Sequence, residues 1–169
     1  MDALQAIFTR RSIRAYTGEA ITDEQLRTIL RAGFSAPTAM NRRPWHFIVL
    51  RKPETLQAVT AFHPYSKMLP RAGCGILVCG DKDLNANEYY LAEDGSAAME
   101  NMLLAAHAQG LGAVWLGVFP RDERVAPLRA LAGLPEHVLP IGLMAVGVPA
   151  ETREAPDRYE ADKVHFEQW

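Results

Sequence analysis

Residues 88–109 read EYYLAEDGSAAMENMLLAAHAQ. Leu91, Gly95, Ala98, Met99, Met102, Leu103 and Ala106 recur at steps of three and four, which predicts a long helix with one continuous apolar stripe, closed by Gly110 as its C-terminal cap. A stripe of that length needs a sheet or other helices to cover it. Strand-like runs stand on both sides: GCGILVCG (73–80), with a β-branched centre from Cys74 to Cys79, and Ala113 to Val118. Further out, HFIVLR (46–51) and Ile141 to Val148 read as strands. Residues 2 to 9, a helix begun by the Thr22/Gln25 capping box and ending near Phe34, Pro53 to about Phe62, and Arg121 to Ala132 read as helices. Helices and strands interleave along the chain, so the class is mixed α/β or α+β.

A chain of 169 residues fits a single domain, here 1–169, and one of this size buries roughly 70% of its unfolded surface. The apolar (49%) and charged (22%) fractions are those of a globular protein. The N-terminus lacks an apolar segment after a basic start, so no export signal is expected. Val138 to Ala150, the longest stretch without a charged or polar side chain, is interrupted by Pro140 and Pro149 and falls short of the roughly 20 residues of a membrane helix, so no membrane association is expected. Cys74 and Cys79 lie on one predicted strand, roughly 16 Å apart when extended, beyond the about 7 Å a disulfide tolerates. Free thiols suit a reducing compartment, and the expected location is cytoplasmic.

Net charge is −2, but unevenly spread: residues 1–50 carry seven Arg against four acids, the remainder eleven basic against sixteen acidic groups. A local excess suits one small anion better than nucleic acid, and no nucleic-acid partner is expected. Arg10, Arg11, Ser12 and Arg14 supply guanidinium groups, a hydroxyl and backbone donors after a short helix, a set able to hold a phosphate. Read alone, the same residues also describe a solvated basic turn. The loop SAPTAMNRRPW (35–45) follows the second helix. The tail from Pro149 to Trp169 is charged and proline-rich, yet it ends in His165, Phe166 and Trp169, so it reads as an arm (149–169) that docks on another subunit.

Taken in order, RRSIR (10–14), PTAMNRRPW (37–45), YSKML (65–69), the 93–117 segment, LPIGLMAVGVPAE (139–151) and DRYEADKVHFEQW (157–169) resemble the nitroreductase family over essentially the whole chain. The resemblance implies an α+β fold, a three-layer α/β/α sandwich with a mixed or antiparallel central sheet, in an intertwined homodimer with FMN at the subunit interface. Carried over by position, Arg10, Ser12 and Arg14 match residues that hold the FMN phosphate, ribityl chain and flavin edge, Arg11 joins through its backbone, and Arg158 matches the late basic residue of the phosphate clamp. Lys67 matches a lysine at the pyrimidine side of the ring. Gly117, after Trp115 and Leu116, falls where the family offers a backbone N–H to flavin N5. Pro37, Thr38, Ala39 and Asn41 would reach in from the second subunit. Each has a plainer reading as a surface cation, a core glycine or a loop former.

Two departures stand out. Arg43 replaces the family's usual glutamine, and Gly117 stands where an acidic residue is common. The chain is also too short for the helices that larger members insert over the flavin, which implies an open flavin face.

The resemblance implies an NAD(P)H-dependent oxidoreductase that reduces nitroaromatics, quinones or related small-molecule electron acceptors with ping-pong kinetics. No catalytic side chain is expected, the chemistry being the flavin's own. The alternatives are a flavin-sequestering protein without turnover, or a family variant with dehalogenating or flavin-fragmenting chemistry. The five histidines, His46, His63, His107, His137 and His165, occupy unrelated segments, so no metal site is expected. The one glycine-rich run, GLGAVWLG, has Trp115 where a dinucleotide fingerprint requires glycine.

Overall fold

The computed structural model describes residues 1–169. In chain order the regular elements are α1 (Ala3–Thr9), α2 (Asp23–Phe34), β1 (Trp45–Leu50), α3 (Pro53–Val59), β2 (Cys74–Asp81), α4 (Glu88–Ala108), β3 (Gly112–Gly117), α5 (Asp122–Ala132) and β4 (Val138–Gly147). The four strands form one fully antiparallel sheet in the order β1-β2-β4-β3. No helix is long and apolar enough to cross a membrane.

The two central strands, β2 and β4, are buried on both faces, and their side chains alternate between two cores. Cys74, Ile76 and Val78 of β2 and Met144 and Val146 of β4 pack with Ile29 of α2 and Met99, Met102, Leu103 and Ala106 of α4. Leu77, Cys79, Leu143 and Ala145 face the other way, toward Leu56 and Val59 of α3 and Leu128 of α5. The result is the three-layer sandwich, and six of the seven stripe residues predicted on α4 after Leu91 or including it, from Leu91 to Ala106, are fully buried apolar side chains, the seventh being Gly95. Gly95 lets α4 lie flat on the sheet, since a Cβ there would stand 3.0 Å from Ile141. Cys74 and Cys79 are free and buried, and burial raises their thiols to about 11 and about 12, so neither is a reactive thiolate.

Some boundaries differ from expectation. The α3 helix stops at Val59, and Thr60–Phe62 continue only as turns. Strand β4 begins three residues early, at Val138, and contains Pro140. It tolerates the proline because its register with β2 slips between Val78 and Cys79, and a bulge is one of the few strand positions where a missing N–H costs no regular ladder bond.

Candidate functional site

Strand β3 is an edge strand. Its outer side is met by the Arg10–Arg14 segment, where Ser12 bridges Ala113 in parallel and the Ile13 N–H donates to the Ala113 carbonyl at 2.9 Å. Three more backbone contacts fix this segment against the end of β4: Tyr16 bridges Pro149, the Thr17 N–H donates to Val148, and the Ala150 N–H donates to Ala15. The Tyr16 hydroxyl donates to Ile13 and Ala145 carbonyls, and burial raises its pKa. The arginine turn is therefore anchored backbone, not a solvated loop.

The anchoring opens a cavity of about 350 Å³ lined by Arg10, Arg11, Ser12, Arg14, Arg153, Glu154 and Arg158. Five guanidinium groups face one carboxylate. Each is costly to crowd beside the others, and the Arg11 pKa is lowered by burial and by Arg158 and Arg10. The Arg11 side chain itself is spent on structure, since it donates to the carbonyls of Phe8, Arg10, Glu154 and Pro156 and so ties the start of the tail to the turn. Arg10 places Nε 3.3 Å from Glu100 of α4, which orients the guanidinium while leaving its terminal nitrogens to the cavity. Arg158, expected from the resemblance alone, lies in the same cavity.

Two members of this site were not expected. Glu151 accepts from the Arg14 and Ala15 N–H groups at 2.6 and 3.1 Å and pairs with Arg153 at 2.6 Å, which turns Arg153 into the cavity. Those backbone donors, chiefly Arg14, hold the Glu151 carboxyl below the usual carboxylate range. Nothing in a Glu-x-Arg spacing announces this; the contact joins residues 137 positions apart.

Along β3 the pleat carries the geometry further. Ala113 turns its carbonyl outward to Ile13, so the period of two turns the N–H and C=O of Trp115 and Gly117 to the same free edge. Gly117 lies four steps from Ala113, roughly 13 Å at strand rise. Its carbonyl accepts from His63 Nε2 at 2.9 Å and Arg124 Nη1 at 2.8 Å. A Cβ at Gly117 would meet nothing closer than Arg124 Nη1 at 3.8 Å, so the chain's own packing does not demand a glycine. Leu116 is buried core and Trp115 half-buried, its ring filling the space above Gly142.

The remaining expected residues stand apart from the cavity. Lys67 is exposed in the turn before a 3-10 segment at Leu69–Arg71. Pro37, Thr38, Ala39 and Asn41 form a tight loop in which Met40, Asn41 and Arg43 have φ of 54°, 54° and 50°. Left-handed backbone at Met40 and Arg43 is strained, and it is held by Thr38 Oγ1, which accepts from the Arg43 N–H, and by Asp94 of α4, which accepts from the Ala39 N–H at 2.8 Å. Asp94 is a second unexpected residue class: a buried carboxylate that fixes a loop from a neighbouring helix. The histidines are not all isolated either. Pairing of β1, β2 and β4 gathers Asp81, Asp83 and His137 within 4.8 Å of one another, and His46 Nε2 stands 3.4 Å from Asp81.

An antiparallel α/β/α sandwich carries an arginine-lined cavity on its edge strand, with a backbone edge leading away from it, an arrangement chemically able to accept an anionic group. Comparison with known proteins identifies the lineage. The model of the nitroreductase family matches residues 7–64 and 63–148. A Methanothermobacter thermautotrophicus protein provisionally named an NADH dehydrogenase/NAD(P)H nitroreductase is 44% identical over all of this chain and 88% of its own length. An Archaeoglobus fulgidus protein of the same name is also 44% identical, over 99% of both chains. Among solved structures, a Bacteroides thetaiotaomicron protein of that name superposes with a TM-score of 0.94 at 39% identity, covering 99% of this chain and 98% of the other. A provisionally assigned nitroreductase from Desulfovibrio desulfuricans, solved in complex with FMN, superposes with a TM-score of 0.84 at 36% identity over 100% and 99%. The chain belongs to the nitroreductase family.

Proposed function

We propose that this protein is an FMN-dependent NAD(P)H oxidoreductase that reduces small conjugated acceptors such as nitroaromatics and quinones. The observation that carries the reading is the joint placement, on one strand edge, of five arginines around a cavity at Ser12/Ala113 and of an outward N–H at Gly117. The reach between them suits a phosphate, a ribityl chain and a ring system in sequence. Arg10, Ser12, Arg14, Arg153 and Arg158 would hold the phosphate end, with Arg11 bracing the tail behind them. Gly117 would face the ring, where the absence of a Cβ permits close approach. FMN, when bound, supplies the hydride chemistry; the chain supplies placement, a cationic field and a surface on which reductant and acceptor take turns, which gives ping-pong kinetics.

The functional unit we propose is a homodimer. Helix α1 buries only Ala6 and exposes Leu4, Ile7 and Phe8, and the tail exposes Tyr159, Phe166 and Trp169, more apolar surface than an isolated chain needs. The arm 149–169 would dock on the partner, and Pro37, Thr38, Ala39 and Asn41, which do not line the arginine cavity of their own chain, would complete the site across the interface, while Lys67 would approach the pyrimidine side of the ring.

The test is the visible spectrum of the purified protein with added FMN, followed by anaerobic NADH or NADPH. Bleaching of the oxidised flavin band supports the reading, and initial-rate patterns with a quinone then test the ping-pong order. Flavin that binds yet stays oxidised with both nucleotides overturns it in favour of sequestration or another reductant.

A further inference from the structure

The carbonyl of Gly117 receives two buried donors from two different elements. His63, in the turn after α3, is 1% exposed, and Arg124, in the first turn of α5, is 8% exposed. One hydrogen bond or a water would satisfy a carbonyl at a strand end. Spending an imidazole and a guanidinium on it fixes the orientation of the Gly117–Val118 peptide and, through the extended backbone of residue 117, the direction of the N–H on the same strand edge.

The roles of the two side chains differ. The Tyr65 N–H donates to His63 Nδ1 at 3.3 Å, and a carbonyl can only accept, so the proton sits on Nε2 and the imidazole is neutral. His63 is therefore a pure donor brace. Arg124 keeps its charge. It lies over the Tyr65 ring at 5.5 Å, has no carboxylate within ion-pair distance, and its Nε is buried without any acceptor. A desolvated cation with only a carbonyl dipole and a ring face for company is unfavourable on its own. It stands at the carbonyl of the same residue whose N–H faces the free strand edge.

We infer that His63 and Arg124 are positioning residues that fix the Gly117–Val118 peptide through its carbonyl and so hold residue 117 with its own N–H toward the bound flavin ring, and that the unpaired charge of Arg124 favours the reduced, more electron-rich ring. The inference rests on the FMN reading above. It gives a buried cation of α5 an electrostatic role toward the same ring whose pyrimidine side the sequence resemblance assigns to Lys67.

The experiment compares wild type with Arg124→Met, Arg124→Lys, His63→Leu and His63→Gln. FMN affinity is measured by fluorescence quenching, the reduction potential of the bound flavin by anaerobic dye equilibration, and the Gly117 amide signal by NMR in the FMN-free protein. In Arg124→Met the ratio of reduced to oxidised FMN affinity is expected to fall about tenfold, which is about 30 mV for a two-electron couple. Arg124→Lys, which keeps the charge and loses the planar fork, should recover most of that ratio. His63→Leu should broaden or shift the Gly117 amide, and His63→Gln, whose amide N–H can still donate, should restore it. A potential identical to wild type in Arg124→Met, or in Arg124→Gln should the Met variant fail to fold, together with an unchanged Gly117 amide signal in His63→Leu, overturns the inference while FMN binding leaves the cofactor reading intact. A wild-type protein that binds no FMN overturns both.

Discussion

At the scale of single residues, the arginine cavity and Gly117 make separable claims. A charge-assisted hydrogen bond contributes on the order of 1.5–3 kcal/mol, so Arg10→Ala and Arg158→Ala should each loosen FMN at least tenfold in a fluorescence titration; unchanged affinity in both would remove the phosphate assignment. Gly117→Ala asks the opposite question. A Cβ there finds open space in the protein, so the thermal midpoint should hold while FMN binding weakens, whereas a loss of stability would make Gly117 a residue of the fold and not of the site. Titration offers a third test. Burial chiefly holds His63 below its ordinary 6.5, with the Arg124 charge adding to it, and burial with Arg10 and Arg11 does the same to His107. Arg124 and Tyr65 face His63, and Arg10, Arg11 and Thr9 face His107, with Glu151 lining the same cavity as His107. The unfolded chain therefore takes up these protons first as pH drops. Their contribution to stability is complete above pH 6.5 and is lost as pH falls through the depressed folded values. The urea midpoint should decline below pH 6.5, and the double variant His63→Gln/His107→Gln should flatten that decline while leaving the further loss at lower pH that comes from Glu151.

Among the elements, those with their own periodicity were legible and those defined by a distant partner were not. The α4 stripe, the Thr22/Gln25 capping box and the β2 run are local patterns, and each appears where the residues predict it. The early start of β4 was hidden because Pro140 reads as a breaker until a bulge against β2 is known. The arginine turn was legible as a cationic cluster, but Glu151, Arg153 and the His63/Arg124 pair depend on contacts across 54 to 137 positions or on one carbonyl's orientation, and residue spacing carries no such information. The 38–43 loop shows the same dependence and is testable. Its left-handed residues are held from α4 by Asp94, so Asp94→Ala leaves the Ala39 N–H unpaired, at a cost of about 1–3 kcal/mol. Trypsin, which does not cut the Arg43–Pro44 bond, should then cut after Arg42 several-fold faster than in wild type; equal cleavage rates would mean that the loop holds itself.

For the whole molecule, the question is what covers the surfaces that one chain leaves bare. The arm is tied down only as far as Pro156, through Arg11, and beyond it Tyr159, Phe166 and Trp169 stand 73%, 85% and 101% exposed. In a single chain these rings stabilise nothing, so their replacement should leave the monomer's fold unchanged. If they dock on a second copy, each buries a large aromatic surface worth about 1.5–3 kcal/mol, and the pair Phe166→Ser/Trp169→Ser should weaken dimerisation by at least a hundredfold at about 1.4 kcal/mol per decade. Light scattering across a dilution series reads this directly. Because the 37–41 loop is proposed to enter the partner's site, FMN affinity should fall in step with the dimer fraction and recover at high protein concentration. A variant that stays dimeric at every dilution would leave the arm without a docking role, and one that dissociates yet binds FMN undiminished would confine the site to a single chain.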